Sequence, residues 1–175
     1  MWKELFAKSK IELCEKSTPH LTSNMVDILE KSIHQKLPKS YREFMLAFGP
    51  GEIAEYFRIY GPTKKKGQGD IRAFMEMNRQ IVDVQIETFG DTGFIERMIP
   101  FCDTIGGDVI VWDPSKPIGC DDDYVIYMLP NDRNSIIKLA TNFRDFVMKV
   151  CLSKTFGEII GDPEFNVSKV FRSFK

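Results

Sequence analysis

Apolar residues recur at helical spacing in the first third of the chain and at strand-like spacing through most of the rest. Trp2, Leu5 and Phe6 start a helical stripe that Ser9 or Lys10 continues, that Leu13 extends and that Pro19 ends. Thr22 or Ser23 is placed to cap a second helix carrying Met25, Val26, Leu29 and Ile33 on one face. This helix stops near Lys36, because the residue before Pro38 is driven out of the helical region. Pro38 then suits the first turn of a third helix, where its missing N–H costs nothing. Ser40 and Glu43 have the spacing of a capping box, Phe44, Met45 and Phe48 form the buried face, and Gly49 is the expected left-handed terminator.

Beyond Pro50-Gly51 the period changes. Residues 53–60 are rich in aromatic and β-branched types and predict one strand, stopped by Gly61-Pro62. Thr63 to Gly69 is a loop bearing Lys64, Lys65 and Lys66. Asp70 caps a long fourth helix over Ile71 to about Phe89, with Phe74, Met75, Asn78, Ile81, Val82, Gln85 and Ile86 near one face. Met98 to Phe101, Val109 to Trp112, Tyr124 to Leu129 and Ile136 to Leu139 then form short apolar runs between turn residues, which favours antiparallel pairing. Thr141 caps a closing helix with Phe143, Phe146, Val147 and Val150. The tail from Thr155 to Lys175 reads as an extra strand, a short helix or a partly ordered arm. Helices, then close strands, then a helix predict an α+β fold with a mostly antiparallel sheet flanked by N-terminal and C-terminal helices.

At 175 residues and 43% hydrophobic content the chain suits one domain over 1–175 with a real core, and 14 phenylalanines supply much of its apolar area. The net charge of -1 shows no basic footprint, so direct nucleic-acid binding is not expected. Charges interrupt the first ten residues and no window approaches a bilayer span, so the expectation is a soluble cytoplasmic protein without a membrane partner. Cys14, Cys102, Cys120 and Cys151 are scattered, with no C-x-x-C pair, and read as small buried hydrophobes.

Candidate chemistry is sparse. His20 and His34, the two histidines, fall in the amino-terminal helical region, and neither forms a nucleophile pair or a zinc spacing with the cysteines. Gly106-Gly107-Asp108 precedes a strand rather than a helix, so a tight turn needing positive φ explains it better than a phosphate loop. Asp121-Asp122-Asp123, with Asp103, Asp108 and Asp113 nearby, matches no calcium-loop spacing. It reads as a solvated loop or, more sharply, as an acidic contact surface that steers a basic partner. No catalytic residue, cofactor or metal site is expected.

Two segments carry a family resemblance. Leu37, Pro38, Tyr41, Phe44, Met45 and Gly49 are similar to the leading motif of the SUKH superfamily, the Smi/Knr-like domain, with Ser40 where members often carry an acidic residue. Ile99, Pro100, Phe101, Cys102, Gly106, Gly107 and Asp108 resemble its central motif, and residues 136–150 its closing strand and capped helix. The resemblance covers about 37–151, leaving 155–175 as an extension. It implies an α+β fold without attributed catalytic residues. It also implies, for bacterial members, immunity proteins that bind and neutralise polymorphic or contact-dependent toxins, often nucleases; fungal relatives look like regulatory hubs in cell-wall signalling.

The leading expectation is therefore a non-enzymatic immunity protein whose partner is a cognate toxin, with a basic nuclease domain. The alternative is a protein-binding module in a cell-envelope or signalling complex, and a third reading is a hydrolase using Cys102 with a histidine or an aspartate. The expected contact surface comprises Asp121, Asp122, Asp123, Asp113 and Trp112, with Tyr56 and Tyr60 as aromatic anchors. Burial of Trp112 in the sheet is the competing and favoured reading of that residue.

Overall fold

The structure is a computed structural model, and it describes residues 1–14, 21–63, 69–78, 92–119, 123–131 and 135–174. Helix α1, Trp2–Lys8, buries Trp2 and Phe6. It ends earlier than its stripe predicts, because Lys10 turns left-handed at φ 55°. Strand β1, Glu12–Cys14, follows directly, and Leu13 is exposed rather than on the helical face. Helix α2, Ser23–Ile33, buries Val26, Leu29 and Glu30. Helix α3, Lys39–Phe48, buries Tyr41, Phe44, Met45 and Phe48, and Gly49 closes it at φ 73° with its N–H on the Met45 carbonyl. The capping box does not form: Pro38 occupies the N-cap position, and the Ser40 hydroxyl donates instead to Asp123 at 3.0 Å.

Residues 53–60 are not one strand. Strands β2, Gly51–Ile53, and β3, Phe57–Ile59, form a hairpin whose turn places Ala54 and Glu55 at φ 58° and 55°. The turn holds no Gly, Pro, Asn or Asp, so the apolar pattern runs through it unmarked. Helix α4, residues 71–78, starts as expected at Asp70, whose Oδ1 accepts the Arg72 N–H at 2.8 Å. Its expected continuation from 79 to 89 lies outside the described residues, as does the 64–68 loop. Helix α5 is Thr92–Glu96, and strands β4 (Ile99–Thr104), β5 (Val109–Ile118), β6 (Asp123–Leu129) and β7 (Ile137–Ala140) follow. Helix α6, Phe143–Asp145, is capped by Asn142 rather than Thr141 and runs on as a π-helical turn over Phe146–Cys151. The tail contributes helix α7, Thr155–Ile160, and strand β8, Val170–Ser173.

Among the described residues the strands form one sheet in the order β1-β8-β2-β3-β4-β5-β6-β7. Every pairing is antiparallel except β1 with β8. Side chains alternate between the two faces, so residues paired in register share a face. One face buries Phe57, Ile59, Ile110, Trp112, Ile126, Met128 and Phe171 in a core shared with α1, α3 and α6. Rings dominate there: Phe101 stacks on Trp112 at 4.0 Å, and Tyr41 meets Trp112 edge-on at 4.8 Å. The opposite face is divided. Val109, Val111 and Leu129 pack with Phe74 of α4 in a second apolar cluster, joined by Phe94 of α5. Toward the other edge the same face carries Arg172, Glu52, Arg58 and Asp103 in one register row of alternating sign. Arg58 holds Asp103 with two bonds of 2.7 and 2.6 Å, and Arg172 sits 3.5 Å from Glu52.

Candidate functional site

The two motif segments are the place to look first, and both are spent on architecture. Leu37 is buried, and its N–H donates to Glu30 Oε1 at 2.9 Å. Glu30 also takes Arg42 Nη1 at 2.6 Å and Lys36 Nζ at 3.1 Å, which fixes the corner between α2 and α3. Burial pushes the Glu30 carboxyl upward, but the Leu37 N–H and the two cations outweigh it and hold it below the ordinary range. Tyr41 is fully buried, its hydroxyl donates to the Tyr60 carbonyl at 2.5 Å, and burial raises its phenol well above normal. The leading motif therefore clamps α3 onto the sheet.

The central motif builds the β4–β5 turn. Gly107 stands at φ 89°, as a tight turn requires. The Thr104 hydroxyl donates to Asp108 Oδ2 at 2.8 Å and accepts the Asp108 N–H at 3.0 Å, and the Asn131 N–H reaches Asp108 Oδ1 at 3.3 Å. Asp108 thus ties two loops together and is a framework carboxylate.

The expected contact residues separate. Trp112 is 0% exposed and sandwiched in the ring cluster, which is the favoured burial reading and takes it off the expected contact surface. Asp113, expected on the contact surface, is 6% exposed and is a buried, paired carboxylate instead. It accepts Arg97 Nε at 3.2 Å, the Ser115 N–H at 3.0 Å and the Ser115 hydroxyl at 2.6 Å, so its charge is met within the chain. Burial alone would raise its carboxyl, but Ser115 and Arg97 prevail and hold it low. Asp123 is half-buried and lines a polar cleft of about 260 Å³ with Lys39, Ser40, Glu43 and Arg144. Asp121 and Asp122 lie outside the described residues.

Tyr60 stacks flat on Phe74 at 3.9 Å and donates to Asp103 Oδ2 at 3.3 Å. Burial first, then the Asp103 charge, raises its phenol; burial raises the Asp103 carboxyl too, against the pull of Arg58. Tyr56 is half-buried at the β4–β5 turn, where its carbonyl accepts the Ile105 N–H at 2.9 Å. That turn and the Asp113–Asp123 hairpin are at opposite ends of β5, so the structure does not gather the expected residues into one patch.

A comparison with known families matches residues 20–149 to the SMI1 / KNR4 family (SUKH-1). The chain belongs to that family. None of the curated proteins compared with it matches at a significant level. In this SMI1/KNR4 family chain, β1 and β8 lie outside the matched residues and add two strands to one edge of the sheet. No helix among the described residues is long and apolar enough to cross a membrane.

Cys102 is fully buried, and its Sγ lies 3.5 Å from the Asp103 carbonyl oxygen. Burial, then Cys151 and Asp103, raises its thiol well above normal, which suppresses the thiolate a nucleophile needs. His20 lies outside the described residues. Sequence reading missed the tip of the β4–β5 turn, where Ile105 is 59% exposed. The available signal was an isoleucine placed directly before Gly106-Gly107, inside a turn where apolar residues are unusual.

Proposed function

We propose that this SMI1/KNR4 family chain is a non-enzymatic, cytoplasmic immunity protein that binds and neutralises a cognate toxin, a basic nuclease domain. The observation that carries the reading is the use of the motif residues. Leu37, Tyr41, Gly107 and Asp108 are engaged in holding the fold, which leaves recognition to the surface around them. Burial and the raised thiol of Cys102 speak against the hydrolase reading. One core cluster running from Trp2 to Phe171 supports treating residues 1–175 as one domain.

The test is co-expression of the full chain with the C-terminal domain of a toxin encoded beside its gene. Restored growth together with a one-to-one complex on size exclusion is the expected result. Unchanged growth arrest with the chain present in folded, soluble form refutes the reading. Recovery of several envelope or signalling proteins on the tagged chain, with no toxin domain among them, refutes it in favour of a hub.

A further inference from the structure

The two faces of the sheet are unequally covered. Helices α1, α3 and α6 share the core on one face, whereas the apolar cluster with α4 and α5 covers the other over β5 and β6. Phe74 of α4, stacked on Tyr60, marks the margin of that cover. Over β8, β2 and β3 the second face is open to water: the side chain of Arg172 is 50% exposed, that of Arg58 41% and that of Glu52 24%. Strands β2 and β3 are interior to the sheet, so this exposure does not come from lying at an edge.

The open face carries an ordered charge pattern. Arg172, Glu52, Arg58 and Asp103 stand in register on β8, β2, β3 and β4, so the row reads plus, minus, plus, minus. With neighbouring strands about 4.8 Å apart, the row is about 14 Å long. Asp103 takes two of the five guanidinium donors of Arg58, so a row paired along its own length still has donors for a surface laid over it. The pattern is also its own complement. A half-turn about an axis parallel to the strands, passing between β2 and β3, reverses the order. It sets Arg172 of one copy over Asp103 of another and Glu52 over Arg58, with opposite signs at all four positions. A half-turn about the row itself sets like over like, so only one orientation is favoured. A partner of single sign meets repulsion at two of the four positions. Sheets packed face to face lie about 10 Å apart, a gap that opposed arginine and carboxylate side chains span. Val170 beside one end of the row, and Tyr60 and Phe174 beside the other, are half-buried and give it an apolar margin. The net charge of -1 adds little overall repulsion between copies.

We propose that this open sheet face is a two-fold interface between two copies of the chain, in which each row is read in reverse by the same row of the other copy. The strands of the two sheets run nearly aligned, and charge order fixes their register. The inference goes beyond the toxin-binding reading and does not depend on it.

The test is sedimentation velocity of the full chain from about 5 µM to about 500 µM, where a concentration-dependent monomer–dimer equilibrium is expected. The deciding variant combines Arg172→Glu with Glu52→Arg. It keeps opposite charges at these two neighbouring positions, but its row reads minus, plus, plus, minus and faces a copy of itself with like charges at all four positions. Its dimer is expected to be weaker by at least about tenfold. Exchanging a pair on the helix of the other face, Asp145→Lys with Lys149→Asp, is expected to leave the dimer unchanged. Raising salt from about 0.05 M to about 0.5 M is expected to weaken the parent dimer. Thermal midpoints of both variants separate lost association from lost folding. A parent that stays monomeric throughout, a folded Arg172/Glu52 exchange that dimerises as the parent does, or an equal loss from the Asp145/Lys149 exchange each overturns the interface. If the Arg172/Glu52 exchange unfolds, the parent decides alone, and a dimer indifferent to salt overturns the proposal. Failed toxin rescue changes none of these outcomes.

Discussion

Glu30 is the buried charge on which the α2–α3 corner depends, and its replacement makes a quantitative prediction. The side chain is 6% exposed and accepts three donors. Lys36 is 74% exposed, so its share is small. The Leu37 N–H is buried, and such a charge-assisted bond contributes about 1.5–3 kcal/mol. Arg42 keeps Asp27 at 2.8 Å when Glu30 is removed, which limits the further loss. Glu30→Ala is therefore expected to cost about 3 kcal/mol, a fall of about 6–12 °C in Tm for a chain of this size. Glu30→Gln keeps an acceptor for Leu37 but loses the charge facing Arg42, and is expected to cost about 1 kcal/mol near neutral pH.

The same carboxyl fixes the sign of a pH dependence. Its folded pKa lies below the ordinary value of 4.5, so the folded state binds the proton less readily than the unfolded chain. The stabilisation is fully present above 4.5 and is lost as pH falls through the lower folded value. Urea unfolding of the parent and of Glu30→Gln, followed from about pH 6 to about pH 3, should show their difference shrinking toward zero at the acid end. A difference that stays constant over that range, or a Glu30→Ala variant as stable as the parent, refutes the assignment of the corner's stability to this charge.

Two further outcomes follow from the frame. Gly107→Ala forces a side chain into φ 89° and within 3.2 Å of Asn131 Nδ2, so urea unfolding should register a loss of about 1–2 kcal/mol; an unchanged midpoint would show that the turn relaxes freely. Under native alkylation with iodoacetamide, Cys14 should react well before Cys102 and Cys151, both of which are buried with raised thiols. Mass spectrometry that finds Cys102 modified as fast as Cys14 would reopen the nucleophile reading.

Much of the local structure was legible because its causes are local. Pro38 and Gly49 bracket α3, Asp70 caps α4, and Gly107 turns the chain between β4 and β5, each through the conformation of its own backbone. The errors arose where a distant partner decided. Ser40 has the spacing of a capping residue, but Asp123, far along the chain, takes its hydroxyl. The β2–β3 turn uses left-handed Ala54 and Glu55, which sheet pairing on both sides enforces against residue preference. For the site, the acidic residues were visible but their neighbours were not: Asp113 is matched by Arg97, while Asp108 is engaged by Thr104 and by the Asn131 N–H.

The sequence by itself determined the α+β class, the order of most elements, and the family, because hydrophobic period, caps and turn residues act over a few positions. Tertiary structure alone decided which side chains face water. Alternation along β5 says that Trp112 and Val111 point to opposite faces, but not that both faces are covered there. It likewise does not reveal that Arg172, Glu52, Arg58 and Asp103, drawn from four strands, align in one row. Exposure and charge pairing depend on strand order and register, which follow from the packing of the whole chain and from no single segment of it.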